Sequence, residues 1–167
     1  NGGGIRIDNG LFYGGINNAE TGTISGAGLG IQILSSSLSP GGPINSSIFN
    51  GGISNAGAIS SIAIEGSIFS GGINNAGTID SPHSAIQINS SQFTGGINNS
   101  GTISAAGFGA GISTYNVSSD TSSIDTITNS LTGIISASGI FSIGINNIYT
   151  TIGTLTNMGS ISGDKGI

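Results

Sequence analysis

The decamer GGINNAGTID at residues 71–80 recurs as GGISNAGAIS at 51–60 and GGINNSGTIS at 95–104, with a looser GGINNAETGTIS at 14–25. A chain that rewrites one short motif must place the same bend and the same apolar run at equivalent points of successive units. Three longer segments fit one template: an I-x-I, an aromatic five residues on, an isoleucine four further, then N-x-G-x-I. They carry Ile5, Ile7, Phe12, Ile16 and Ile24; Ile62, Ile64, Phe69, Ile73 and Ile79; and Ile86, Ile88, Phe93, Ile97 and Ile103. Partial copies supply Ile31 with Ile33, Phe49 with Ile53 and Ile59, then Ile112, Ile127 with Ile135, and Leu155 with Ile161.

Within these runs apolar and polar residues alternate, as in I-Q-I and T-I-S, a period of two that argues for strands. Gly, Ser, Asn and Thr are poor helix formers, and no stretch keeps the spacing a helix needs. Ile53 to Ile73 is 20 residues and Ile73 to Ile97 is 24, whereas Ile16 to Ile53 is 37 with SLSPGGPINS inserted. Units of this length, holding short strands that cannot bury a face alone, predict an all-β parallel β-solenoid of about six coils of ~20–30 residues. At ~4.8 Å per coil such a rod stands ~29 Å tall.

Like residues then lie above like residues. Ile16, Ile53, Ile73 and Ile97 are expected to form one buried ladder and Ile59, Ile79 and Ile103 another, with Phe69 and Phe93 stacked nearby. Asn55, Asn75 and Asn99, with Asn18, Asn129 and Asn157, fall at a corner where an inward carboxamide can bond to its copies in adjacent coils. The glycine two residues later suits a left-handed or crowded backbone at that corner.

The run GGINNAGTI followed by AIQI resembles the passenger repeats of bacterial autotransporters and filamentous-haemagglutinin-like exoproteins, from Gly14 through Ser162. The resemblance implies a right-handed parallel β-helix, exported and displayed at the bacterial cell surface. The membrane barrel of autotransporters has no counterpart here. The segments NVSSDTSSIDTITNS and GINNIYTTIGTLTN fit the template poorly, so irregular coils are expected over 113–160 within a single domain spanning 1–167. The chain opens at Asn1 in mid-motif and stops at Ile167 soon after another GSIS, the expectation being a piece of a longer repeat protein or fibre.

Charge narrows the function. Only 5% of residues are charged, against ~25% in ordinary soluble proteins. Two basic residues, Arg6 and Lys165, face seven acidic ones, so the basic patch that phosphates demand cannot form and no nucleic-acid partner is expected. The chain has no cysteine, which removes disulfides and thiolate metal sites. No apolar run approaches the ~18 residues of a membrane span, and no membrane insertion by this segment is expected.

Some β-helices cleave polysaccharides, which takes a base beside a carboxylate or a pair of carboxylates. Arg6 and Lys165 sit at opposite ends of the chain, and Asp8, Glu20, Glu65, Asp80, Asp120, Asp125 and Asp164 are scattered. The D-S-P-H run at Asp80–His83 reads as a proline turn, and His83 has no second histidine or cysteine to share a metal with. No catalytic group, metal or cofactor is expected. One surface feature remains: Thr23 and Ser25, Thr78, and Thr102 with Ser104 flank inward isoleucines and would stack as hydroxyl rows, superficially like an ice-binding face. Ala58, Asp80 and Ile134 interrupt them.

The sequence therefore points to a non-enzymatic extracellular rod, an adhesin, stalk or fibre subunit that contacts a host surface or glycan and stacks on itself axially. Ice binding through the Thr/Ser rows is the alternative, and a polysaccharide-active enzyme is the remaining one.

Overall fold

The structure, a computed structural model, describes residues 4–26, 29–35, 47–116 and 123–164. The SLSPGGPINS insertion, Asp120 and Lys165 lie outside these residues. The described chain winds through six coils of short strands. The first four coils hold four strands each: β1 (Ile5–Asp8), β2 (Leu11–Phe12), β3 (Ile16–Asn18) and β4 (Thr23–Ile24); then β5 (Ile31–Leu34), β6 (Ile48–Phe49), β7 (Ile53–Asn55) and β8 (Ala58–Ile59); then β9 (Ile62–Glu65), β10 (Ile68–Ser70), β11 (Ile73–Asn75) and β12 (Thr78–Ser81); then β13 (Ile86–Asn89), β14 (Gln92–Thr94), β15 (Gly96–Asn99) and β16 (Thr102–Ala106). The last two hold three: β17 (Ala110–Tyr115), β18 (Ser123–Asn129) and β19 (Ile134–Ser138), then β20 (Ile143–Ile148), β21 (Thr151–Asn157) and β22 (Ser160–Ser162).

Strands pair in parallel with their equivalents in adjacent coils, giving four stacked sheets. The first sheet runs β1-β5-β9-β13-β17-β20 and the second β2-β6-β10-β14. The third runs β3-β7-β11-β15-β18-β21 and the fourth β4-β8-β12-β16-β19-β22. This is the parallel β-solenoid that the repeat spacing demands.

Register is what the repeats specify, because a slip of one residue would turn every buried side chain outward. The third sheet aligns Ile16, Ile53, Ile73, Ile97, Ile127 and Leu155. The fourth aligns Ile24, Ile59, Ile79, Ile103, Ile135 and Ile161. In the middle coils these isoleucines are completely buried, and together with the first sheet's I-x-I pairs they form one continuous core. The second sheet supplies a phenylalanine stack. Phe12, Phe49, Phe69 and Phe93 lie 4.9, 4.9 and 5.0 Å apart between ring centroids, with successive rings within 10° of parallel.

The stack ends at Phe93 because the bend after it is deleted in the next coil. In the first four coils a pair of glycines, such as Gly95–Gly96, separates the phenylalanine strand from the following isoleucine. The fifth coil reads Ile124-Asp125-Thr126-Ile127, and without glycines the two strands fuse into the seven-residue β18. Ile124, buried, packs on the side of β14, and Asp125 accepts from the Gly95 N–H at 3.1 Å. Over 123–164 the chain thus departs from the template by losing one face, while the other three sheets continue in register.

Glycine at the N-x-G corner answers crowding, not handedness. None of Gly57, Gly77 and Gly101 has a positive φ, but a Cβ on Gly77 would overlap the carbonyl oxygen of Gly57 in the coil before it. Gly77→Ala should therefore pry adjacent coils apart at a cost of ~1–3 kcal/mol, read as a lower urea midpoint with an unchanged slope. An unchanged midpoint would show that the corner has room.

Candidate functional site

Among the described residues the titratable groups do not converge. Arg6 pairs with Asp8 at 2.7 Å on the exposed face of the first coil. Asp80, on the outer side of the fourth sheet, accepts a short hydrogen bond from the Ser104 hydroxyl. His83 stands exposed on the following corner, its backbone N–H donating to the Ser81 hydroxyl at 3.1 Å. Asp164 accepts from the Phe141 N–H at 3.2 Å. Glu20 is exposed and Glu65 half-buried. Among the described residues no three His, Asp or Glu side chains are grouped so as to hold a metal.

The hydroxyl rows are in register and interrupted. One runs Thr23, Ala58, Thr78, Thr102, Ile134 and Ser160. The other holds Asp80, Ser104, Ser136 and Ser162, while Ser25 lies just beyond β4 and outside the pairing. Ile134 is 43% exposed, a branched hydrocarbon in mid-row, so the face offers no uninterrupted hydroxyl lattice.

The most ordered polar array lies at the corner between the third and fourth sheets. Asn18, Asn55, Asn75, Asn99 and Asn129 each donate from Nδ2 to Oδ1 of the asparagine in the following coil, ending on Asn157, at 2.7–2.8 Å. Each Nδ2 also reaches backbone carbonyls at the bend; Asn75 Nδ2 lies 3.2 Å from the Gly77 oxygen and 3.0 Å from the Thr102 oxygen. Those two acceptors fix which end of the carboxamide is the donor. All but Asn157 are buried. The ladder holds the corner together, and the carboxamides of Asn55, Asn75, Asn99 and Asn129 are engaged at both ends.

Beside it on the outer surface runs a shallow groove of about 240 Å³, lined by Ser54, Asn74, Asn98 and Thr128 with Ala76 and Ser100. Asn98 donates to Asn74 at 2.9 Å, a second, exposed amide contact. The groove is uncharged, suited to hydroxyl-bearing ligands and to no ionic chemistry.

Three features escaped the sequence reading. Ser47, Ser67 and Ser91 are buried two residues before Phe49, Phe69 and Phe93. Ser67 Oγ donates to the Glu65 oxygen at 2.7 Å and Ser91 Oγ to the Asn89 oxygen at 2.8 Å, and Ser91 Oγ accepts from the Ser67 N–H. The recurring S-x-F at these sites was the signal. Left-handed corners after the first-sheet strand, at Asn9, Gly66, Ser90 and Tyr149, have no common residue type to reveal them. Large apolar side chains also crowd the corners: Phe108 (81% exposed), Ile140 and Phe141 (61%) between the fourth and first sheets, and Tyr115 with Tyr149, 6.4 Å apart.

Comparison with protein-family models, with curated proteins and with solved structures finds no match to this chain.

Proposed function

We propose that this chain is a non-enzymatic structural and adhesive rod, displayed outside the cell on a bacterial surface, which touches a host surface or glycan through its uncharged corners. The observation that carries the reading is the division of labour in the coil. Isoleucine, phenylalanine and asparagine ladders run in register from coil to coil, while the ionisable groups among the described residues are dispersed. A scaffold needs the first property, and dispersed acids and bases favour a scaffold over acid–base catalysis. Export to a bacterial surface rests on the resemblance of GGINNAGTI and AIQI to exoprotein passenger repeats.

Contact would fall on Phe108, Ile140 and Phe141, whose exposed apolar groups stand clear of the polar faces, since clustered exposed apolar surface marks interaction sites. Aromatic rings of this kind stack on sugar faces, and the neighbouring Asn and Ser rows offer donors and acceptors without charge. The broken hydroxyl rows weigh against ice.

Incubating the immobilised chain with a panel of neutral and uronic-acid polysaccharides tests this. Retention without cleavage is expected, weakened in Phe108→Ser. New reducing ends or unsaturated uronates that disappear in Asp80→Asn or His83→Ala would overturn the non-enzymatic reading, and absence of retention on any glycan or host-cell surface would overturn the adhesive one.

A further inference from the structure

The groove beside the asparagine corner lies in the middle of the rod, between the second and fifth coils, and its construction repeats. In the middle coils the residue before the inner asparagine is exposed, the asparagine is buried, and the residue after it is exposed again. One wall is therefore the row Ser54, Asn74, Asn98 and Thr128, and the other a row of small side chains that includes Ala76 and Ser100. The floor is backbone whose hydrogen bonds run along the axis, from the Ala76 N–H to the Asn55 oxygen and from the Ser100 N–H to the Asn75 oxygen, both at 2.8 Å. No charged side chain lines the channel, which is ~14 Å long at ~4.8 Å per coil.

The fold does not account for the amide wall. Asparagine is depleted in strands, yet Asn74 is the middle residue of β11 and Asn98 lies within β15, both exposed. The aligned residue of the next coil, Thr128, suits a strand better. Residues that break local preference without burial in return are expected at functional sites. The two amides are also ordered before any ligand arrives. Asn98 Nδ2 donates to Asn74 Oδ1 at 2.9 Å, leaving the Asn74 Nδ2 and the Asn98 Oδ1 without a partner among the described residues. A donor and an acceptor are held side by side, and side chains already fixed lose little freedom on binding.

We infer that this channel binds an extended, unbranched neutral glycan lying parallel to the rod axis, with successive sugar units meeting successive coils. A hydroxyl both donates and accepts, so neighbouring hydroxyls on a sugar match the amide pair while the Ala76 methyl takes the C–H face of the ring. Anionic glycans are disfavoured by the formal net charge of -5 at pH 7, and Arg6 is occupied by Asp8 in the first coil. A glycan that coils would leave the straight channel. A second rod laid flat on this face would meet the amide wall and leave the channel empty. Glycan contact here deepens the adhesive reading and rests on it, at a different corner from Phe108.

Titration of the 167-residue chain, labelled at asparagine side-chain nitrogen, with cellohexaose, xylohexaose and mannohexaose tests this by nuclear magnetic resonance. Saturable shifts of the Asn74 and Asn98 carboxamides are expected with at least one of them, the matching disaccharide binding at least tenfold more weakly and hexagalacturonate causing no shift. Asn74→Ala removes the donor and Ala76→Gln fills the channel. Each should weaken binding about tenfold, as loss of one or two hydrogen bonds implies, with an unchanged thermal melt, whereas Phe108→Ser should bind as the parent does. Absence of saturable shifts with all three sugars, or parental binding in both groove variants, would overturn the inference. So would self-association of the chain that Ala76→Gln abolishes, which would assign the channel to a second copy. Glycan retention that survives both groove variants and is lost in Phe108→Ser would overturn the groove alone and leave the adhesive reading standing, while no retention on any glycan or host-cell surface would overturn both.

Discussion

Ile73→Asp should remove most of the stability of the fold. Ile73 is fully buried between Ile53 and Ile97 in the third sheet, and the core it faces is built of isoleucine and phenylalanine. Deleting such a side chain costs ~2–5 kcal/mol through lost burial and the cavity left behind. A carboxylate at the same point adds the penalty of an unpaired buried charge, and a domain has only ~5–15 kcal/mol in total. Because each coil touches only its neighbours, the damage should also divide the rod, leaving coils on either side without a shared core. Urea denaturation is expected to show either no folded baseline or an early, broadened transition. Ile73→Val, by contrast, should cost only ~1 kcal/mol. An aspartate variant with the parental midpoint would mean that position 73 does not face the core.

The second large effect belongs to Asn75→Ala. Asn75 sits in mid-ladder, accepting from Asn55 and donating to Asn99, to the Gly77 oxygen and to the Thr102 oxygen. An alanine leaves each of those groups short of a partner in a corner that water does not reach. With each orphaned group costing ~1–3 kcal/mol and some relaxation, a loss of ~2–4 kcal/mol is expected. Asn74→Ala, one residue away on the outer surface, should be nearly neutral, since its exposed amide can bond to water. Equal effects at 74 and 75 in thermal melts would remove the distinction between inner and outer asparagine on which the ladder rests.

What the sequence revealed follows from what repeats. Isoleucine, asparagine and glycine hold fixed offsets in GGINNAGTID and its sister copies, so register could be read directly, down to Ile127 over Leu155 in the poorly matching coils. The buried serines were harder to read, because serine is common on every face and only its recurrence two residues before Phe49, Phe69 and Phe93 sets it apart. Loss of the second sheet after Phe93 was visible only as a missing glycine pair, and whether a missing bend fuses two strands or loops outward depends on tertiary packing. Phe12 and Phe49 were template positions, but that all four rings stack within 5.0 Å depends on the coil spacing. For the exposed apolar corner the obstacle differs: Phe108 lies in one non-repeating turn and Ile140 with Phe141 in another, and only the stacking of Gly139 on Gly107 brings the two turns together.

The central claim is that successive coils place their inner asparagines in one hydrogen-bonded file. Nuclear magnetic resonance of the chain labelled at asparagine side-chain nitrogen measures this directly. Carboxamide protons of Asn55, Asn75, Asn99 and Asn129 should exchange with solvent far more slowly than those of Asn17, Asn74 and Asn98, and cross-relaxation should link Asn55 to Asn75, Asn75 to Asn99, and Asn99 to Asn129. Inner carboxamides that exchange as fast as Asn74, or cross-relaxation joining them in any other order, would contradict the coil register from which the rest is argued.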